Sequence, residues 1–440
     1  MRQAIRSKLL QSSEYAYAML ALFLLTQGPV YRTWSQSSGL AGQLPEPSVS
    51  HVHFASFLLV QAPGVLLWAR RCQGNWLSQR NNAALAIFLA WMGLTVMWST
   101  FARQSLPEFL ALAATSGFGL YLADRFTSTR LWLVTAGAMA IGVGISWVSV
   151  MRLWDGAVNF QEGYWIGIYF NRNSLAPVAG LAIVSSLAVV ISIRSRKSGT
   201  SRRRTLLFSF LAVVLAVYSA IELWKSESQT SPLALAIAVS TSGFWLVMQS
   251  ICRRTGMLRR FSHLAAPLAI AIVSFAVFYV LRVVGGFGSL SSETTSLNMR
   301  RSLWSLSWSG FLEKPWHGWG WMAAWRTPDF FRQGDWWAVF DTNWSHSGYH
   351  DLLLGGGVLA AALFALYVFL SARAIGRCTP REALPVMLTV SFVLAAATQE
   401  SFFIGSHFLW AVLVGALASP SSRKALSDEK NSSEVSPRNP

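Results

Sequence analysis

The sequence predicts an all-α polytopic membrane protein with about 12 transmembrane helices and one large loop on the external, periplasmic side. Three observations predict it. Only 12% of the 440 residues are charged while 53% are hydrophobic, against about 25% charged in soluble domains. Apolar runs of roughly 17–23 residues alternate with short polar or basic breaks, the length a helix needs to cross the hydrocarbon core. The Lys and Arg residues are also shared unequally between alternate breaks.

Hydropathy places helices near 14–30, 53–69, 82–98, 107–122, 131–150, 174–193, 205–223, 231–250, 262–284, 350–370, 384–399 and 402–418. The last two are short enough to form a hairpin or a broken helix. No cleavable signal peptide is expected in the opening MRQAIRSKLLQ. One set of breaks carries 25 of the 36 Lys and Arg, the other 11. The positive-inside rule then puts both termini in the cytoplasm of a bacterial inner membrane. Cys72, Cys252 and Cys378 fall on that reducing side. They make neither a metal framework nor a disulfide set. The net charge of +17 does not point to nucleic acid, because the cations sit in short clusters between apolar runs.

Two stretches interrupt this regularity. Residues 1–420 read as one transmembrane domain, with 285–349 as its long external loop containing short interfacial helices. Residues 421–440, polar and poor in apolar side chains, read as a disordered cytoplasmic tail. The loop holds nine of the 21 tryptophans, among them Trp304, Trp308, Trp316, Trp319, Trp321, Trp325 and Trp344, together with Arg300, Arg301, Lys314, Arg326 and Arg332. These suit either an interfacial aromatic belt or a membrane-level cleft. In the cleft, indole faces stack on sugars and arginine forks bind an anionic head group such as pyrophosphate. Arg300 and Arg301 begin an amphipathic segment with Leu303, Leu306, Phe311 and Leu312, so they either contact that head group or snorkel.

In NWSHSGYHDLLL, His346 and His350 stand at i, i+4 with Asp351 following, on one face if the helix has begun there. A boundary histidine suits a proton acceptor or a cap; a metal lacks a third strong ligand, and no cofactor is expected. FNRNSLAP puts Asn171, Arg172 and Asn173 at a helix start that can face an anion. LWKSESQTS offers Lys225 and Glu227 beside hydroxyls suited to capping. Glu400 marks the turn of the last helix pair.

Several of these segments resemble the O-antigen ligase and O-antigen polymerase superfamily of membrane glycosyltransferases. WST at 98–100 resembles its Trp-Ser, and FNRNSLAPVAG its Asn-x-Asn-x-x-Ala. Arg300 with Trp304 resembles its Arg-x-x-x-Trp, and Pro315, Gly318 and Gly320 its Pro-x-x-Gly-x-Gly. His346-Ser347 followed by Gly357 resembles the ligases' His-[Asn/Ser/Gln]-x9-Gly-x-x-Gly, with Ala360 in place of the last glycine. Where the family often has Ser-Arg, this chain has Ser228-Gln229, leaving Lys225 as the nearby cation.

The resemblance implies a C-type glycosyltransferase fold. It implies metal-independent, inverting transfer of a glycan from an undecaprenyl pyrophosphate carrier to an acceptor hydroxyl on a glycan or lipid. On the resemblance, His346 orients or deprotonates the acceptor and Arg300 holds pyrophosphate. Arg301 and Lys225 are further cations assigned to pyrophosphate, as is Arg172, from its place beside the Asn-x-Asn segment rather than from the resemblance; Trp304, Trp344, His350, Asn171 and Asn173 are assigned to the glycan or acceptor. The rival activities are polymerisation of lipid-linked repeat units and, from another class, lipid-linked glycan transport. External ionisable groups on one face argue against a translocation path.

Overall fold

The computed structural model describes residues 2–26, 51–72, 79–195, 202–255, 262–272, 296–326, 344–398 and 407–419. The loop segments 285–295 and 327–343, with Arg332, Trp336 and Trp337, lie outside them, as do Glu400 and the expected tail.

Among the described residues the chain is helical, with α1 (Arg2–Leu24), α2 (His51–Arg71), α3 (Arg80–Leu94), α4 (Ala102–Arg125) and α5 (Ser128–Met151) leading. There follow α6 (Arg172–Ser195), α7 (Arg202–Lys225), α8 (Thr230–Arg254) and the short apolar α9 (Ser262–Ile272). Next come α10 (Ser296–Glu313), α11 (Gly348–Ile375), α12 (Pro380–Ala396) and α13 (Phe408–Leu417). Among the described residues, seven helices are long and apolar enough to cross a membrane: α3 with its 3-10 extension Thr95–Trp98, α4, α5, α6, α7, α8 and α11. This is a multi-pass membrane protein. The other expected spans fall at α1, α2, α9, α12 and α13, which are not among those seven; the spans expected at 14–30, 262–284 and 402–418 run partly outside the described residues.

Several boundaries move for local reasons. α12 begins at Pro380 rather than near 384 because Thr379 and Glu382 form a capping box, with the proline at the first helical position where no N–H is needed. α11 continues to Ile375, and at Gly357 it passes through φ +69° before resuming.

α6 sits centrally, packed against α5, α7, α8 and α12, while α4 packs on α2 and α13, and α3 on α11. Phe88, Phe364 and Trp410 join α3, α11 and α13 with ring centroids 5.9–6.1 Å apart. The indole N–H of Trp410 reaches Ser116 Oγ at 2.8 Å, so this large buried ring leaves no polar atom unmet. α7 is the exception, its side chains from Leu206 to Trp224 largely exposed, as a lipid-facing helix requires.

At one end of the bundle, Glu14 of α1 pairs with Arg125 of α4 and lies 3.9 Å from Arg71 of α2. Cys72, Cys252 and Cys378 lie at that same end and form no disulfide among the described residues. The opposite end gathers the starts of α6, α8 and α11 and the ends of α7 and α12. Three bonds fasten them there: Trp165 N to Lys225 O at 2.9 Å, Ser228 Oγ to Asn173 Oδ1 at 3.0 Å, and Gly348 N to Ala397 O at 2.9 Å.

Candidate active site

The site is built on a helix interrupted on purpose. At Gly357 the backbone is left-handed, and a Cβ there would lie 2.3 Å from Trp316 O. Only glycine takes that conformation without strain. Carbonyls around the break then bond outside their own helix. Trp319 N donates to Leu354 O at 2.9 Å, and Gly320 N to Gly355 O at 3.1 Å. Trp91 Nε1 reaches Gly356 O at 2.9 Å, while Val358 N donates to Pro315 O at 2.8 Å. The turn 315–321 is thereby laid along α11, and Gly318 and Gly320, at φ +68° and +96°, permit the contact.

The Trp-Ser segment closes the other side. Trp98 stacks on His317 at 5.6 Å, and Ser105 Oγ, bonded to Ser99 Oγ at 2.7 Å, donates to Trp321 O at 2.5 Å. Three of the motif segments therefore form one scaffold.

On this scaffold rests α10. Its inward positions, Arg300, Leu303, Ser307 and Gly310, recur every three or four residues, so Arg300 shares the protein-facing side. Leu303 packs with Trp319, Ala324, Trp325 and Leu354 in a small core of its own. Arg300 is 8% exposed, with Nη1 3.5 Å from Thr230 Oγ1 at the start of α8. A guanidinium this buried is not snorkelling to the head groups. Trp308 and Leu312, on the other side of α10, are about half exposed and suit an interfacial face.

His346 lies beside it. The residue has φ +52°, unusual for a side chain larger than glycine, and it precedes α11 rather than belonging to it. The expected i, i+4 pairing of His346 with His350 on one helical face therefore does not form, because the helix begins only at Gly348. The strained turn is pinned at several points. Ser345 N donates to Asp351 Oδ1 at 2.9 Å, Trp304 Nε1 to Ser345 O at 3.1 Å, and Ser345 Oγ to Ser347 O at 2.7 Å. Backbone strain of this kind persists only when its surroundings over-determine it, and it gathers at functional sites. Trp344 Nε1 approaches His346 Nδ1 at 3.3 Å.

Burial and the charge of Arg300 push the His346 imidazole down from 6.5 to about 4, so it is neutral at pH 7. The folded form thus resists protonation between about pH 6.5 and 4, where the unfolded chain accepts it. Its contribution to stability is whole above pH 6.5 and is lost as pH falls towards 4. Thermal unfolding followed from pH 7 to 5 should show a smaller loss of Tm in His346→Gln than in the wild type.

The remaining expected residues are placed as follows. Trp304 stacks on His350 at 5.5 Å and 6°, and His350 Nδ1 lies 3.0 Å from Ser347 Oγ. Both residues therefore brace the turn, with one indole face already covered. Asn171 Oδ1 accepts from Ser174 N at 2.9 Å and caps α6, and Asn173 bonds Ser228. Arg172 lies over the Tyr164 ring at 4.6 Å and Lys225 over Trp224 at 5.1 Å. Neither contact joins them to Arg300 or His346. Arg301 follows Arg300 in α10, its side chain outside the described residues.

Asp351 is the residue whose importance sequence alone understates. Buried to 2% exposure, its Oδ1 accepts from both Ser345 N and Trp325 Nε1, the latter at 3.0 Å. Asp351→Ala strands two buried donors at about 1–3 kcal/mol each. It should lower Tm markedly and reduce turnover, whereas Asp351→Asn, which keeps an acceptor, should lose far less; melting curves and turnover of the two variants check this. Glu222 was also passed over. It is fully buried within α7, and neither carboxylate oxygen has a partner among the described residues. An acid inside an otherwise apolar run was the signal for it.

Residues 217–365 match the family described as O-Antigen ligase. The match takes in Thr230, Arg300, Trp304, His346 and Gly357, and bears out the resemblance to the O-antigen ligase superfamily. No curated protein matches the chain.

Proposed function

We propose, with an O-Antigen ligase match at residues 217–365 as the premise, that this protein is a lipid-linked glycan transferase. It moves a glycan from an undecaprenyl pyrophosphate carrier to an acceptor hydroxyl, inverting the anomeric centre without a metal. The site works at the outer face of the bacterial cytoplasmic membrane, with both termini on the cytoplasmic side. Ligase- or polymerase-type glycosyl transfer is what the family suggests; transfer to a terminal acceptor is our choice between them, from the His-Ser-x9-Gly spacing.

One observation supports this reading above the others: a buried guanidinium and a neutral imidazole, 46 positions apart in sequence, come near enough at one end of the bundle for the charge of the first to bear on the second. Pyrophosphate is already a good leaving group. What it needs from a protein is fixed positive charge where negative charge develops, in a place water does not screen. Arg300 is suited to that. His346 supplies the second polar group of the site. The half-exposed Trp308 of α10 suits a site at the depth of a lipid-borne substrate.

The test is turnover by the purified full chain with carrier-linked glycan and a hydroxyl acceptor. Transfer with release of carrier pyrophosphate is expected, and His346→Ala should slow it by about a hundredfold. Vesicle uptake that leaves the glycan chemically unchanged would replace this reading by transport.

A further inference from the structure

We propose that His346 donates a hydrogen bond from Nε2–H to the departing pyrophosphate, beside Arg300, and is not the base that deprotonates the acceptor. The inference rests on the transferase reading above and specifies which hydrogen the imidazole carries.

An indole nitrogen only donates, and Trp344 Nε1 lies 3.3 Å from His346 Nδ1. Nδ1 must therefore present its lone pair. A neutral imidazole carries one N–H, which then sits on Nε2. The nitrogen left for substrate has a proton to offer and no lone pair with which to take one.

Accepting the acceptor's proton would instead require an imidazolium. That ion would be buried beside the Arg300 guanidinium, and its Nδ1–H would point at the Trp344 N–H. Both contacts repel. Nor is the ring's anchorage loose, since the turn that carries it is held by Trp304, by Asp351 and by Gly348 N bonded to Ala397 O. Two donors side by side, one of them charged, are instead suited to an oxyanion.

In the step, the bond between the anomeric carbon and the phosphate oxygen breaks with its electron pair on that oxygen. The acceptor oxygen forms the new bond to carbon. The acceptor's proton passes through solvent to the pyrophosphate, which becomes a base of suitable strength as it leaves. His346 ends the step with the hydrogen with which it began.

The experiment uses the full chain in lipid nanodiscs, with undecaprenyl pyrophosphate as the binding probe. Glutamine places an amide N–H near the position of Nε2 but cannot act as a base. His346→Ala should weaken carrier binding by about tenfold, and His346→Gln by no more than about threefold. Selective 15N-histidine NMR, with the His346 signal assigned by its loss in His346→Gln, should show a protonated Nε2. The proposal is overturned if the protonated nitrogen is Nδ1. It is equally overturned if His346→Ala binds the carrier like the wild type, or if His346→Gln binds as poorly as His346→Ala with an unchanged Tm. Arg300→Ala separates the two readings: wild-type carrier binding in that variant removes the pyrophosphate site itself.

Discussion

Arg300→Ala is expected to lower kcat/KM for glycan transfer by about three orders of magnitude while the helical bundle stays folded. Removing one donor from a site of developing negative charge costs about a hundred- to a thousandfold. Arginines that stabilise transferring phosphoryl groups contribute more, about 10³–10⁵. Arg300 belongs at the upper end of the first range, because at 8% exposure its field is little screened. Its bond to Thr230 at 3.5 Å places the guanidinium where α10 meets the start of α8. Arg300→Lys restores the charge without the planar fork and should recover activity only in part, to about a tenth of wild type or less. Wild-type turnover in both variants would show that pyrophosphate binds elsewhere.

The second large effect is expected at Gly357, for a mechanical reason. A methyl group there meets Trp316 O at 2.3 Å and His317 N at 2.5 Å, both rigid backbone atoms, and it must also accept φ +69°. Left-handed strain costs about 1–3 kcal/mol and overpacking about as much again. The chain can escape only by lifting the 315–321 turn off α11, which breaks Trp319 N to Leu354 O, Gly320 N to Gly355 O and Val358 N to Pro315 O together. Gly357→Ala should therefore abolish transfer and expose residues 315–326 to protease, while carboxyl-side α11 keeps its packing against α3. Unchanged proteolysis and turnover would mean the kink is ornamental.

The sequence showed most plainly what depends on composition and period. Apolar run lengths give membrane-crossing helices, and Arg300 was singled out because it begins an amphipathic segment and an Arg-x-x-x-Trp match; that the buried face of α10 is Arg300, Leu303, Ser307 and Gly310, with Leu312 exposed, only the structure shows. His346 was identifiable by type and spacing, yet its conformation was not. Whether a residue stands inside a helix or in a left-handed turn before it depends on Asp351, Trp304 and Ala397, and no local pattern encodes those partners. The tryptophans were ambiguous for the same reason. An indole reads alike whether it stacks on a sugar or, as Trp304 does, on His350. Arg172 and Lys225 share their charge with Arg300, but their described contacts are the rings of Tyr164 and Trp224, a distinction only tertiary packing makes.

The clasp between the 315–321 turn and the broken stretch of α11 also bears on how such a protein can vary. Amide hydrogens on one partner are matched one for one to carbonyls on the other, so neither can drift alone. A chimera that grafted the loop of a related chain onto this bundle would inherit the wrong footing unless residues 354–358 travelled with it. The stretch from Arg300 to Val358 should be exchangeable as a cassette and intolerant of being divided.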